Sequence, residues 1–190
     1  MNPPPTDPPH VPVNPGPPDP PHVPVSLPPI DELNRLSGTE FRAALRPLFE
    51  AADPLASALE SGKPYASYAA LLDRAEAVLA ELPDSEQIEV LNAHPRIGAR
   101  QVSALSYREQ GYDREPDDPA VLGELARLNQ AYEQRFGFRF VVFVNRRPKS
   151  EIVPVLKERL ARSPQDELVT ARRELLLIAR DRLGALQRVG

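Results

Sequence analysis

The 190-residue sequence has no cysteine, which excludes disulfides, thiolate chemistry and Cys-based metal sites and leaves the redox compartment unreadable. It has no apolar run near the ~18 residues needed to span a bilayer, and its start lacks the basic-then-apolar pattern of a secretory signal. Clustered Lys and Arg are missing as well. With 27 acidic against 23 basic residues and a net charge of −4, the chain presents no basic block to nucleic acid or an anionic membrane. A cytoplasmic protein with no nucleic-acid and no membrane partner is the expectation.

What the chain does have is proline, unevenly placed: 14 of its 24 prolines fall in residues 1–29. That stretch carries no Lys or Arg, two Asp and few large apolar side chains, so it cannot bury enough surface to offset chain entropy. Residues 1–30 are therefore expected to form a disordered, polyproline-II-leaning arm, and residues 31–190 one compact domain. Within the arm, Asp7-Pro8-Pro9-His10-Val11-Pro12-Val13 recurs as Asp19-Pro20-Pro21-His22-Val23-Pro24-Val25. Two copies are too few to bury a repeat face, so a spacer or a docking peptide for an aromatic groove are the two readings. His10 and His22 lack a third ligand there, and no metal site is expected.

After Asp31 the pattern is helical. Tyr68, Leu71, Leu72, Ala75, Val78, Leu79 and Leu82 form one amphipathic face, and Val121, Leu122, Leu125, Leu128 and Tyr132 form another. Asp84 with Gln87 has capping-box spacing, while Asp118-Pro119 and Ser163-Pro164 place a cap before a proline at the first helical position. Helices are expected near residues 39–51, 53–61, 65–82, 85–93, 98–111, 119–135, 149–162 and 165–187. Only Phe138-Arg139-Phe140-Val141-Val142-Phe143-Val144 reads as extended. With no second strand to pair, it should cross the helical core as a buried stretch and surface at Asn145-Arg146-Arg147-Pro148 with backbone groups exposed to a ligand. The expected fold class is all-α: a single compact multi-helix domain with one buried extended segment, preceded by the Pro-rich arm.

Three residues of the domain stand out chemically. His94 is its only histidine, and Pro95 should stop the preceding helix and hold the imidazole at a helix C-terminus, where the protonated ring is favoured and tuned toward neutral-pH acid/base work. A C-capping or surface role is the alternative. Glu109 lies in Ser106-Tyr107-Arg108-Glu109-Gln110-Gly111, where Ser-x-x-Glu is also a capping box, but Ala99, Val102 and Leu105 show helical spacing upstream, placing Ser106 inside a helix that Gly111 ends. In the last helix, Leu168, Leu175, Ile178, Ala179, Leu183 and Leu186 define an apolar arc at about 100° per residue, and Arg182 projects inside it. Arg173 and Arg180 project outside, and Arg172 falls near the edge. A buried guanidinium needs an anion, so Arg182 is expected to meet a carboxylate of the protein or of a substrate, unless it snorkels along the arc.

Ordered along the chain are His94-Pro95-x-Ile97-Gly98, Ser106-x-x-Glu109-Gln110, Leu128-Asn129-x-x-Tyr132, Phe136-Gly137-Phe138-x-Phe140, Ser150-Glu151-Ile152, Glu158-Arg159-Leu160 and Ile178-Ala179-x-x-Arg182-Leu183. Together they resemble the OHCU decarboxylase family, which converts 2-oxo-4-hydroxy-4-carboxy-5-ureidoimidazoline (OHCU), an intermediate of urate degradation, to (S)-allantoin. The resemblance implies an all-helical, cofactor-free, often dimeric carboxy-lyase, with a ureidoimidazoline as small-molecule partner; whether this chain is a homodimer is left open by the sequence. It carries catalytic roles onto His94, Glu109 and Arg182, and substrate contacts onto Pro95, Ser106, Gln110, Val141, Val142, Phe143, Val144 and Asn145. Against it stand a catalytically silent helical interaction module and a lyase or hydrolase acting on a related ureido compound.

Overall fold

The computed structural model describes residues 26–99, 103–111 and 118–188. The expectations for the arm through residue 25, its repeat, His10 and His22, lie outside the described residues. Among those described there are nine helices and no strand: α1 (Ile30–Arg35), α2 (Gly38–Phe49), α3 (Asp53–Ser61), α4 (Tyr68–Glu81), α5 (Asp84–Asn92), α6 (Ala104–Glu109), α7 (Pro119–Phe136), α8 (Lys149–Arg159) and α9 (Pro164–Gln187). The all-α expectation holds.

The longest helix, α9, organises the rest. Its face of Ala171, Leu175, Leu176, Ile178, Ala179 and Leu183 is buried against α2, α4 and α5, while α3 packs on α2, α4 and α5. Because α9 has apolar positions over more than a narrow seam, it can serve three partners at once. A second pair, α7 on α8, completes the body. The apolar face read for α4 is buried as expected, its start fixed by the Ser67 side chain accepting from the Ala70 amide at 3.1 Å. Asp118 and Ser163 cap α7 and α9 as their sequence contexts predict.

Other local readings need correction. The capping box at Asp84 does not form: Pro83 occupies the cap position, and Gln87 Nε2 instead donates to the Leu82 carbonyl at 2.6 Å. The helix expected at 98–111 starts later, at Ala104. Gly98 takes a left-handed φ of +84°, and the Ser103 hydroxyl caps α6 by accepting from the Ser106 amide at 3.2 Å. Helix α1 was not anticipated. Its Asn34 side chain brackets the Tyr65 backbone, accepting from the amide at 2.9 Å and donating to the carbonyl at 2.8 Å. Residues read as the end of the arm pack as well: Leu27 lies against the core, and the Tyr68 hydroxyl donates to the Pro28 carbonyl at 2.8 Å.

The extended segment runs where expected, and its backbone is satisfied from a distance. Instead of a second strand, side chains of surrounding helices and of the following turn take the ladder's place. The Arg139 amide donates to Asn92 Oδ1 at 2.9 Å, the Phe143 amide to Glu174 Oε2 at 2.7 Å, and Arg159 Nη1 donates to the Val141 carbonyl at 2.7 Å. Arg147 donates to the Phe143 and Val144 carbonyls at 2.7 and 3.0 Å. Behind the segment, Tyr132 packs against Phe136, Phe138 and Phe140 with ring centroids 4.6–5.7 Å apart, in tilted and edge-on geometries. The aromatic spacing of the sequence thus becomes one cluster, to which the segment contributes Phe138 and Phe140.

Candidate active site

Helix α5 delivers His94. It ends at Asn92, and the His94 amide still donates to the Leu91 carbonyl at 3.2 Å before Pro95 turns the chain. Arg139 then clamps this end, donating through Nη1 to the carbonyls of Asn92 (2.6 Å) and His94 (2.9 Å). The imidazole is 4% exposed, and neither ring nitrogen has a well-formed hydrogen bond among the described residues. Burial pushes its pKa down to about 3, Arg182 pushing the same way and Glu50 partly opposing. The expectation of a ring tuned toward neutral pH by the helix end is therefore overturned. The helix-end carbonyls are already spent on Arg139, and desolvation outweighs a terminal dipole. His94 is a neutral imidazole, and by NMR its ring should remain unprotonated down to pH 5; titration near 6.5 would contradict this environment.

Arg182 faces His94's end of the cavity from α9. As the helix arithmetic predicted, it is turned inward, 2% exposed, and it meets carboxylates of the protein. Nε and Nη2 grip Glu109 Oε1 and Oε2 at 2.6 and 2.8 Å, a bidentate fork that fixes both planes. Nη2 also donates to the Ser106 hydroxyl at 2.9 Å and lies 2.9 Å from Glu50 Oε1. Nη1, equally buried, has no partner among the described residues. Ser106 and Glu109 share α6, so the short helix and the long one are tied through a single guanidinium.

Gln110 borders the cavity with its side chain already engaged. Its Oε1 accepts from the Gly98 amide at 2.8 Å and its Nε2 donates to the Arg96 carbonyl at 3.4 Å, while its backbone amide donates to Ser106. It braces the loop after His94, as does Asn129, whose amide donates to the Ile97 carbonyl at 3.0 Å. The buried Lys149 ammonium donates to the Gln110 carbonyl at 2.7 Å. Opposite this loop, residues 141–145 form a wall that ends in Asn145 and Arg146 at left-handed φ of +48° and +62°.

These walls enclose a cavity of about 240 Å³. All eleven residues singled out from the sequence border it: His94, Glu109 and Arg182, then Pro95, Ser106, Gln110, Val141, Val142, Phe143, Val144 and Asn145. Arg108, Arg146 and Asp181 border it too, whereas Arg172 is turned away to the Gln87 side chain at 3.0 Å. Glu50, which no motif or spacing in the sequence marks, reaches Ser106 and Arg182. Its carboxylate accepts from the Ser103 and Ser106 hydroxyls at 2.9 Å each. Burial raises its pKa, but Arg182 and the two hydroxyls outweigh burial and hold it below the usual carboxylate value.

A family model described as OHCU decarboxylase matches residues 34–184, a stretch that contains every one of these side chains. The chain belongs to the OHCU decarboxylase family. It is 32% identical to a uric acid degradation bifunctional protein of Bacillus sp. (strain TB-90), the match covering 85% of this chain and 32% of that longer protein. It is 29% identical to a 2-oxo-4-hydroxy-4-carboxy-5-ureidoimidazoline decarboxylase of Halalkalicoccus jeotgali, covering 83% of this chain and 90% of the relative. Among solved structures, an OHCU decarboxylase crystallised in the presence of (S)-allantoin superposes with a TM-score of 0.60 at 26% identity, covering 71% of this chain and 91% of that one. The motifs that carry the resemblance in the sequence divide into two jobs in this chain. His94, Ser106, Glu109 and Arg182 border the cavity, whereas Asn129, Tyr132, Phe136, Phe138 and Arg159 hold its walls.

Proposed function

We propose that this chain decarboxylates OHCU to (S)-allantoin, with His94, Glu109 and Arg182 as its catalytic residues and with no cofactor. The observation that carries the reading is a buried histidine and a bidentate Arg182–Glu109 pair, all three bordering one cavity. OHCU brings its own electron sink. When the C4–carboxylate bond breaks, its electron pair forms C4=C5, and the ring C5=N bond opens onto nitrogen, which takes up a proton. The resulting enol loses its hydroxyl proton, C4 becomes a carbonyl, and C5 gains a proton on one face.

Each step asks something of these residues. Unprotonated at neutral pH, His94 can accept the C4 hydroxyl proton and return one, and the negative charge of the bound substrate would raise the basicity that burial lowers. Arg182 offers buried Nη1 to the anionic substrate while its other nitrogens stay on Glu109 and Ser106. Glu109, held at both oxygens, orients the hydroxyl or ureido group. The wall at 141–145 meets the ring's urea edges, and the Val142 peptide takes no part in the bonds that Arg147, Arg159 and Glu174 make to this wall. Cytoplasmic location and a homodimer belong to the same proposal. In the direct test, OHCU is generated from urate by upstream enzymes, the protein is added, and the chirality of allantoin is followed. Rapid (S)-selective formation is expected, whereas uncatalysed decay gives racemate; failure to accelerate would defeat the proposal.

A further inference from the structure

Glu50 occupies a backbone conformation that side chains avoid. It follows the last residue of α2 with φ +58° and ψ −142°, close to the region that is essentially glycine's alone. Its amide still donates to the Arg46 carbonyl at 2.8 Å, so an ordinary helix end is in place just before it. A glycine here would close α2 without strain. Strain of this kind persists only where the surroundings over-determine it, and here the surroundings are the site itself. The carboxylate reaches both α6 hydroxyls, Ser103 and Ser106, and the Arg182 guanidinium, all at 2.9 Å. It does not border the cavity.

We infer that Glu50 is a positioning residue for this reaction: its strained backbone aims a carboxylate that locks Arg182 and the Ser106 hydroxyl in place, leaving Glu109 and Arg182 Nη1 to face the substrate. The inference rests on the function proposed above. Without Glu50, Arg182 keeps its fork to Glu109 but is held from one side only. Ser106, losing its acceptor, is then able to swing away from its bond to Arg182. The start of α6 loses its tie to the end of α2, and with it the register between His94 and Glu109. Charge in the cavity would still attract an anion. Orientation at the reacting carbon would not survive, and small misplacements at a reacting centre cost turnover heavily.

The test is Glu50→Gly beside Glu50→Gln, in the full chain, with wild type run in parallel. Glu50→Gly removes strain and carboxylate together, Glu50→Gln removes only the charge. A positioning role predicts that both lose at least tenfold in kcat for (S)-allantoin formation with KM changed less than threefold. It predicts also that Glu50→Gly melts at or above the wild-type temperature. A glycine variant that melts lower but turns over normally would make Glu50 a structural tie and overturn the inference. Two variants with wild-type kcat would overturn it as well. If wild type itself does not accelerate (S)-allantoin formation, the functional reading falls and the inference with it.

Discussion

Replacing His94 with alanine should lower (S)-allantoin formation at least ~10²-fold, the loss expected when a positioned acid/base group is removed, while the helical circular dichroism stays unchanged. The ring makes no well-formed hydrogen bond that the fold would miss, and the α5 end is held through backbone by Arg139. A second readout concerns pH. The His94 pKa falls from 6.5 in the unfolded chain to about 3 in the folded one, so between these values the unfolded state binds more protons. This contribution to stability is fully present above 6.5 and is lost as pH falls toward 3. The His94→Ala protein should lack it, giving a flatter dependence of melting temperature on pH across that window. Near-normal turnover in the variant would remove His94 from the mechanism whatever its ionisation.

The largest structural effect is expected at Glu167, which takes no part in the chemistry. Its carboxylate is fully buried between the Arg159 guanidinium, whose Nε donates to it at 2.5 Å, and the Tyr132 hydroxyl, which donates at 2.5 Å. Burial first, and then the carboxylate beside it, raises the Tyr132 pKa well above the usual phenol range. Glu167→Ala would strand a buried guanidinium, and breaking such a pair from one side costs about 3–5 kcal/mol. For a domain of this size that is a fall of roughly 6–20 °C in melting temperature. The double variant Glu167→Leu with Arg159→Met should recover much of the loss, because it removes both charges at once. Its turnover should nevertheless stay low, since Arg159 also holds the Val141 carbonyl on the cavity wall. A double variant as unstable as the single one would mean that the pair itself, and not the stranded charge, carries the stability.

Local rules made the site's frame legible. Helical periodicity turned Arg182 inward, proline geometry put His94 at a helix end, and β-branched and aromatic density marked the wall at 138–144. What stayed hidden came from elsewhere in the chain. The ionisation of His94 depends on burial and on Arg182, 88 positions away, which no reading of its own helix end contains. Glu50 sits past the end of an amphipathic helix in Phe49-Glu50-Ala51, where no periodicity or motif separates it from a solvent-facing acid. The late start of α6 turned on Ser103 outcompeting a continuous apolar spacing, two local signals that point in opposite directions until tertiary contacts choose.

The cavity wall at 141–145 is held by Arg147, Arg159 and Glu174, none of which borders the cavity. The path of that wall is therefore set by side chains outside the cavity. Shortening either arginine releases a carbonyl of this segment from its partner. The shape of the pocket can in this way be retuned from outside it, with the lining sequence left as it is.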